Sequence, residues 1–69
     1  MTPAELRALL KRLGLSQIEA ALLLGVDVRT MRRWMMAERE MPEPAVRLLW
    51  ACEHYPGVQA GLAGWSRSA

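Results

Sequence analysis

The sequence predicts an all-α protein, a compact bundle of four to five short helices around a central helix-turn-helix, and three observations support this fold class. Apolar residues recur at helical spacing over most of the 69-residue chain. Capping residues or prolines stand before these stretches and glycines follow several of them, whereas alternating strand patterns are nearly absent. The length predicts one domain, near the lower limit for independent folding.

The first helix is predicted over residues 3–13. Thr2 can serve as its N-cap with Glu5 completing a capping box, and Gly14 can adopt the left-handed conformation that ends a helix. The leucines between them are spaced for one buried face. Three basic residues also lie on this helix: Arg7, Lys11 and Arg12. They either form a solvated face or contact a nucleic-acid backbone.

A second helix is predicted over residues 17–24 and a third over residues 28–37. Ser16 begins the second helix with another capping box, and Gly25 ends it. Asp27 is a suitable N-cap for the third helix, because its carboxylate lies at the positive end of the helix dipole. The inward stripe of the third helix consists of Met31, Trp34 and Met35.

A fourth helix is predicted over residues 44–54, with a wide apolar face, and a short fifth helix over residues 57–63. A Tyr-Pro-Gly sequence at 55–57 separates the two. We therefore expect a single helix-turn-helix domain over residues 1–64 and a flexible C-terminal tail over residues 65–69.

The formal net charge of +2 is concentrated in one segment. Residues 27–36 contain three arginines and one aspartate, whereas acidic residues outnumber basic ones over residues 37–69. A surface that binds phosphate needs local positive charge of this kind. The predicted third helix is therefore the candidate nucleic-acid-binding element.

The composition argues against several other classes of protein. Cys52 is the only cysteine, which rules out an intrachain disulfide and fits a cytoplasmic protein. The chain contains neither a signal-peptide pattern nor the apolar run of about 20 residues that a membrane span requires. Cys52 and His54 do not share a helix face, so we expect no metal site. In the absence of a nucleophile–base pair we expect no enzymatic activity and no cofactor.

The segment between the second and third helices has the residue types that a steep helix-turn-helix corner needs. Ala21 is small enough for close helix approach, and Gly25 can take the positive φ of the turn. Val26 fills the corner beneath the turn, while Met31 and Trp34 pack the third helix onto the rest of the domain. These five residues are the predicted structural motif.

The chain resembles the phage-repressor and Cro-like helix-turn-helix family of transcription regulators. The resemblance covers roughly residues 3–53 and lies in register on Leu15-Ser16-Gln17, Ala21, Leu24-Gly25-Val26, Thr30, Met31 and Arg33-Trp34, followed by Pro42 and the Val46 to Leu49 region. Family members commonly end the third helix with a glycine, whereas this chain continues with Ala37 and Glu38. A longer third helix or a different loop would follow from that departure.

The resemblance implies that six residues contact DNA: Gln17, Val28, Arg29, Thr30, Arg32 and Arg33. Gln17 matches a phosphate-contacting position, although it can also cap its own helix. Val28 and Arg29 match positions that meet base edges, and the valine either contacts a thymine methyl or packs. The two later arginines match positions divided between bases and backbone, and Thr30 matches a backbone-contacting hydroxyl.

The C-terminal third is more apolar than one small core requires, which predicts self-association. Four residues are candidates for a dimer interface: Trp50, Val58, Leu62 and Trp65. Tryptophan in particular is enriched at interface hot spots. A homodimer would place two copies of the third helix about one DNA turn apart, roughly 34–36 Å.

The predicted function is that of a sequence-specific DNA-binding transcriptional regulator, a homodimeric repressor whose third helix enters the major groove of an inverted-repeat operator. We expect no small-molecule effector, because the chain has no sensor domain. The size and architecture also resemble those of short phage autorepressors associated with anti-CRISPR genes. An antitoxin-like or adaptor module that uses the same scaffold to bind protein is the alternative.

Overall fold

The computed structural model describes residues 1–65, and this part of the chain is all-helical. It contains α1 (Pro3–Leu13), α2 (Gln17–Leu24), α3 (Val28–Met35), α4 (Glu43–His54) and α5 (Pro56–Ala63). The predicted all-α bundle is therefore confirmed, with all five helices present. None of these helices is both long enough and apolar enough to cross a membrane. Apart from Trp65, the predicted flexible tail lies outside the described residues.

The first three helices begin at side-chain caps that the sequence predicts. Thr2 with Glu5 and Ser16 with Glu19 form complete capping boxes at α1 and α2. The Asp27 carboxylate accepts a hydrogen bond from the backbone N–H three residues later, at 2.6 Å. Accepting these hydrogen bonds lowers the pKa of all three carboxyl groups below their ordinary values. The caps stay charged at neutral pH and satisfy backbone donors that would otherwise lack partners.

The same three helices end with one repeated backbone motif. Gly14 (φ 72°) directly follows α1, Gly25 (φ 74°) directly follows α2, and Ala37 (φ 60°) lies one residue beyond the Met36 cap of α3; all three are left-handed. In each motif, the N–H of the left-handed residue donates to the carbonyl three residues earlier at 3.1–3.3 Å, and the next N–H donates to the carbonyl five residues earlier at 2.9–3.0 Å. The prediction that the third helix extends over 28–37 is therefore wrong. It ends at Met35, because Ala37 occupies the position that glycine fills in the other two helices.

Replacing Ala37 with glycine is expected to raise the free energy of unfolding by a few tenths to about 1 kcal/mol. The left-handed conformation costs a residue with a Cβ roughly 1–2 kcal/mol, and the greater freedom of glycine in the unfolded chain offsets about 0.4–1 kcal/mol of that gain. Urea denaturation measures the change. Ala8→Gly, on the exposed side of α1, is the matched control and should destabilise by roughly 0.5–1 kcal/mol. If both variants destabilise equally, Ala37 is not strained.

The fourth and fifth helices each begin one residue before their predicted starts at 44 and 57. Pro44 and Pro56 lie in the first turns of α4 and α5. Proline is suited to this place because the first N–H groups of a helix have no intrahelical partner. The predicted boundaries are corrected accordingly to Glu43–His54 and Pro56–Ala63.

One apolar core holds the helices together. Its fully or nearly buried members are Leu6, Leu9, Leu10, Ala20, Ala21, Met31, Trp34, Met35, Met41 and Leu49. Long-range polar contacts add to it. Arg12 on α1 forms an ion pair with Glu53 on α4, and the Gln59 side chain on α5 donates to the Leu13 carbonyl at 3.2 Å. These two contacts tie α1 to both C-terminal helices.

Candidate nucleic-acid interface

The corner between α2 and α3 is built as its residue types predict. Ala21 is buried at the approach of the two helices, and Gly25 makes the left-handed turn. Val26 is half-buried against the core, and its N–H donates to the Ala21 carbonyl at 3.0 Å. This hydrogen bond and the packing of Val26 fix the direction in which α3 leaves the turn.

Inward packing determines which side of α3 is exposed. Met31, Trp34 and Met35 are all buried, and Met31 is 0% exposed. Their spacing of three and four residues places them on one stripe of the helix. Helical spacing places Arg29 and Arg33 on the opposite side and Arg32 on a flank, and all three are exposed. Val28 shares the spacing of the buried stripe but is 36% exposed in the first turn of the helix. Thr30 is half-buried, and its backbone N–H donates to the Asp27 carboxylate that caps the helix.

The side chains of the three arginines of α3 have no polar partners in the described part of the protein. Across residues 1–65, none of them forms a hydrogen bond or ion pair. The pKa of Asp27 is lowered mainly by its hydrogen bonds to Thr30 and only secondarily by the charges of Arg29 and Arg33. Their guanidinium groups therefore remain available to an anionic partner.

Two basic residues of α1, by contrast, have partners within the protein. Arg7 Nη2 donates to the Met35 carbonyl at the end of α3, at 3.4 Å. Arg12 pairs with Glu53, which raises the pKa of the guanidinium and lowers that of the carboxyl group. Neither interpretation left open for α1 included these intramolecular contacts, and Lys11 is an exposed cation.

Arg7 is a positioning residue that sequence reasoning missed. Its cationic side chain meets the negative end of the α3 dipole and satisfies one of the last carbonyl groups of the helix. The partners are 28 residues apart, so no local pattern links them. Its only sequence signal is a basic residue on the first helix, which a solvated face explains equally well.

Gln17 occupies the first position of α2 with its side chain exposed. The capping of this helix is carried out by Ser16 and Glu19, through hydrogen bonds of 3.0 and 3.1 Å. The Gln17 amide is therefore not needed as a cap. It lies beside the N-terminal N–H groups of α2, where the positive end of the helix dipole favours an anion.

The four candidate dimer residues do not form one surface. Trp50 lies on the outer side of α4, 51% exposed, stacked on His54 at a ring-centroid distance of 4.1 Å and edge-on to Tyr55 at 6.0 Å. Leu62 and Trp65 instead line an open groove next to α2. Val58 is half-buried on α5. The structure thus brings Leu62 and Trp65 together and separates both from Trp50.

The remaining titratable groups show no arrangement for metal binding over residues 1–65. Cys52 is buried, and burial raises the pKa of its thiol. The His54 ring stacks on Trp50 and donates from Nδ1 to the Trp50 carbonyl at 2.9 Å.

In comparisons with known proteins, no family model, curated protein or solved structure matches the chain.

Proposed function

We propose that this chain is a sequence-specific DNA-binding transcriptional regulator. The observation that carries the proposal is the division of α3 into a buried apolar stripe and an exposed side with three uncommitted arginines. Arginine matches the O6 and N7 acceptors of guanine bidentately, and a single helix fits the major groove. Within this proposal, Arg29, Arg32 and Arg33 contact bases or phosphates, and Val28 meets a base edge.

Two further features support this docking. The N-terminus of α2, with the exposed Gln17 amide, offers a phosphate site that would set the register of the protein on the duplex. Arg7 holds the far end of α3 through the Met35 carbonyl, so both ends of the inserted helix are fixed to the scaffold. Fixed positioning of this kind favours specific readout over non-specific attraction to phosphate.

The proposed form is a homodimer on an inverted repeat. The molecule measures 33 × 26 × 20 Å, dimensions that are compatible with a dimer whose two α3 helices lie about one DNA turn apart, roughly 34–36 Å. We assign the contact to the outer side of α4, around Trp50 and Tyr55. The neighbouring charges there are paired internally, Arg47 with Glu43 at 3.2 Å and Arg12 with Glu53. Two copies can then meet without opposing unpaired like charges.

Such a dimer would repress by occupying a promoter, its own promoter included if the chain is an autorepressor of the anti-CRISPR-associated kind. Its site of action would be the cytoplasm of a bacterial or phage-infected cell. Repression then requires only that the protein and the transcription machinery compete for the same stretch of DNA.

Selection of bound sites from a random pool of double-stranded DNA tests the proposal. We expect enrichment of inverted repeats whose half-sites are about 10–10.5 base pairs apart between centres, or a multiple of that distance. Affinity for the selected site should fall steeply as salt concentration rises, because phosphate contacts release counterions. A pool without enrichment, together with a flat salt dependence, would show that the scaffold serves protein binding instead.

A further inference from the structure

An open apolar groove runs along α2 on a different set of side chains from the arginines of α3. Its volume is about 1040 Å³, and we call it the α2–α5 groove. Its main apolar lining residues are Leu22, Leu23, Leu48, Leu62 and Trp65. Leu22 is 75% exposed, and Ile18, one turn earlier on α2, is exposed as well. An exposed apolar surface of this extent in a small domain indicates a binding site.

The described charges at the groove are both negative. Among its described lining residues, the charged ones are Glu19 and Asp27. Both carboxyl groups have a lowered pKa because they accept capping hydrogen bonds, so both remain ionised at neutral pH. A negative rim around an apolar floor attracts a cationic partner that also presents apolar side chains.

The lining of the groove distinguishes between the candidate occupants. Duplex DNA does not fit the groove itself, because the apolar floor offers no partner to phosphates. A second copy of the chain fits poorly too. Its basic helices, α1 and α3, bury their apolar sides in their own core and have no apolar stripe left to insert. The groove is open and lies between helices, where a helical segment of another protein can dock.

We propose that the α2–α5 groove is a docking site for a basic amphipathic helix of a partner protein. The apolar stripe of that helix lies on Leu22, Leu48 and Leu62, and its flanking lysines or arginines face Glu19 and Asp27. The site goes beyond DNA binding and does not depend on it. If the chain is a repressor, the groove would allow it to act on or respond to a second protein while α3 remains on the operator.

Fluorescence anisotropy with the full chain tests this site, using a labelled 18-residue peptide with leucines at helical spacing and lysines elsewhere. A second peptide with glutamate in place of every lysine controls for simple apolar attraction. We expect saturable, salt-sensitive binding of the leucine–lysine peptide alone. Leu22→Ser should weaken it by about tenfold, because a leucine contact is lost without affecting the core. Met36→Ser, at an exposed apolar residue outside the groove, should leave it unchanged.

The acidic rim is tested by the double substitution Glu19→Gln and Asp27→Asn. Glutamine and asparagine keep both helix caps, so the charges are removed without loss of the fold. We expect at least threefold weaker peptide binding and a smaller salt dependence. Glu38→Gln with Glu40→Gln, outside the groove, removes the same charge and should have no effect.

Three outcomes would overturn the inference. The first is equal affinity of the chain for the two peptides. The second is that the groove variants and their control variants weaken peptide binding equally. The third is that Leu22→Ser converts a dimer of the chain to a monomer in sedimentation velocity. The last would show that a second copy occupies the groove. Failure of DNA binding would leave the peptide result intact, because the assay contains no DNA. Failure of peptide binding alone would leave the repressor proposal intact.

Discussion

Alanine at Arg29, Arg32 or Arg33 is expected to weaken binding to the selected operator by about 1–3 kcal/mol each, or roughly five- to 150-fold. The reason is that each guanidinium is exposed, lacks a hydrogen-bonding partner among residues 1–65, and lies outside the buried stripe of α3. The triple variant should lose specific binding altogether. Fluorescence anisotropy on the selected site and on a scrambled site measures both effects.

Arg39→Ala is the matched control, because it removes the same charge from an exposed residue in the loop between α3 and α4. It should change affinity for both DNA sequences only slightly. Loss of a base contact relaxes specificity, whereas loss of a phosphate contact reduces the salt slope by about one, so each variant shows which kind of contact its arginine makes. If Arg39→Ala weakens binding as much as the α3 variants, α3 is not the reading helix.

Leu49→Ala is expected to lower the free energy of unfolding by about 2–5 kcal/mol. Leu49 is 0% exposed and lies on α4 within the single core. A domain of this size has a total stability of roughly 3–10 kcal/mol, so the loss is large enough to unfold much of the population. Urea denaturation followed by circular dichroism should show a much lower midpoint.

Leu22→Ala provides the internal comparison, since it makes the same chemical change at an exposed leucine of α2. Its effect on stability should stay within about 0.5 kcal/mol. Equal losses from the two variants would mean that Leu49 is not a core residue. A small effect would also show that Leu22 contributes little to the fold, which the docking proposal requires.

The starts of α1, α2 and α3 could be predicted from the sequence because their causes are local. A cap such as Asp27 acts on a backbone N–H three residues away, and the capping boxes at Thr2 and Ser16 act over the same distance. The inward stripe of α3 follows from helical spacing alone. These interactions depend on neighbouring residues, so a short window of sequence contains all the information they need.

The end of α3 could not be predicted in the same way. Alanine is a good helix former, and Ala37 adopts the left-handed conformation only because the chain turns back there. Met41, four residues later, is buried in the core, and Arg7 holds the Met35 carbonyl from α1. These tertiary contacts outweigh the local preference of one alanine.

The sequence by itself determined the five helices, the corner between α2 and α3, and the residues that α3 presents, because caps, glycines and apolar spacing act within a few residues of one another. The tertiary arrangement assigned partners to Arg7 and Arg12 and left the arginines of α3 without them. It also separated Trp50 from Leu62 and opened the groove beside α2. The contacts of Arg7, Arg12 and Gln59 join residues 28 to 46 positions apart, and only tertiary packing brings such residues together.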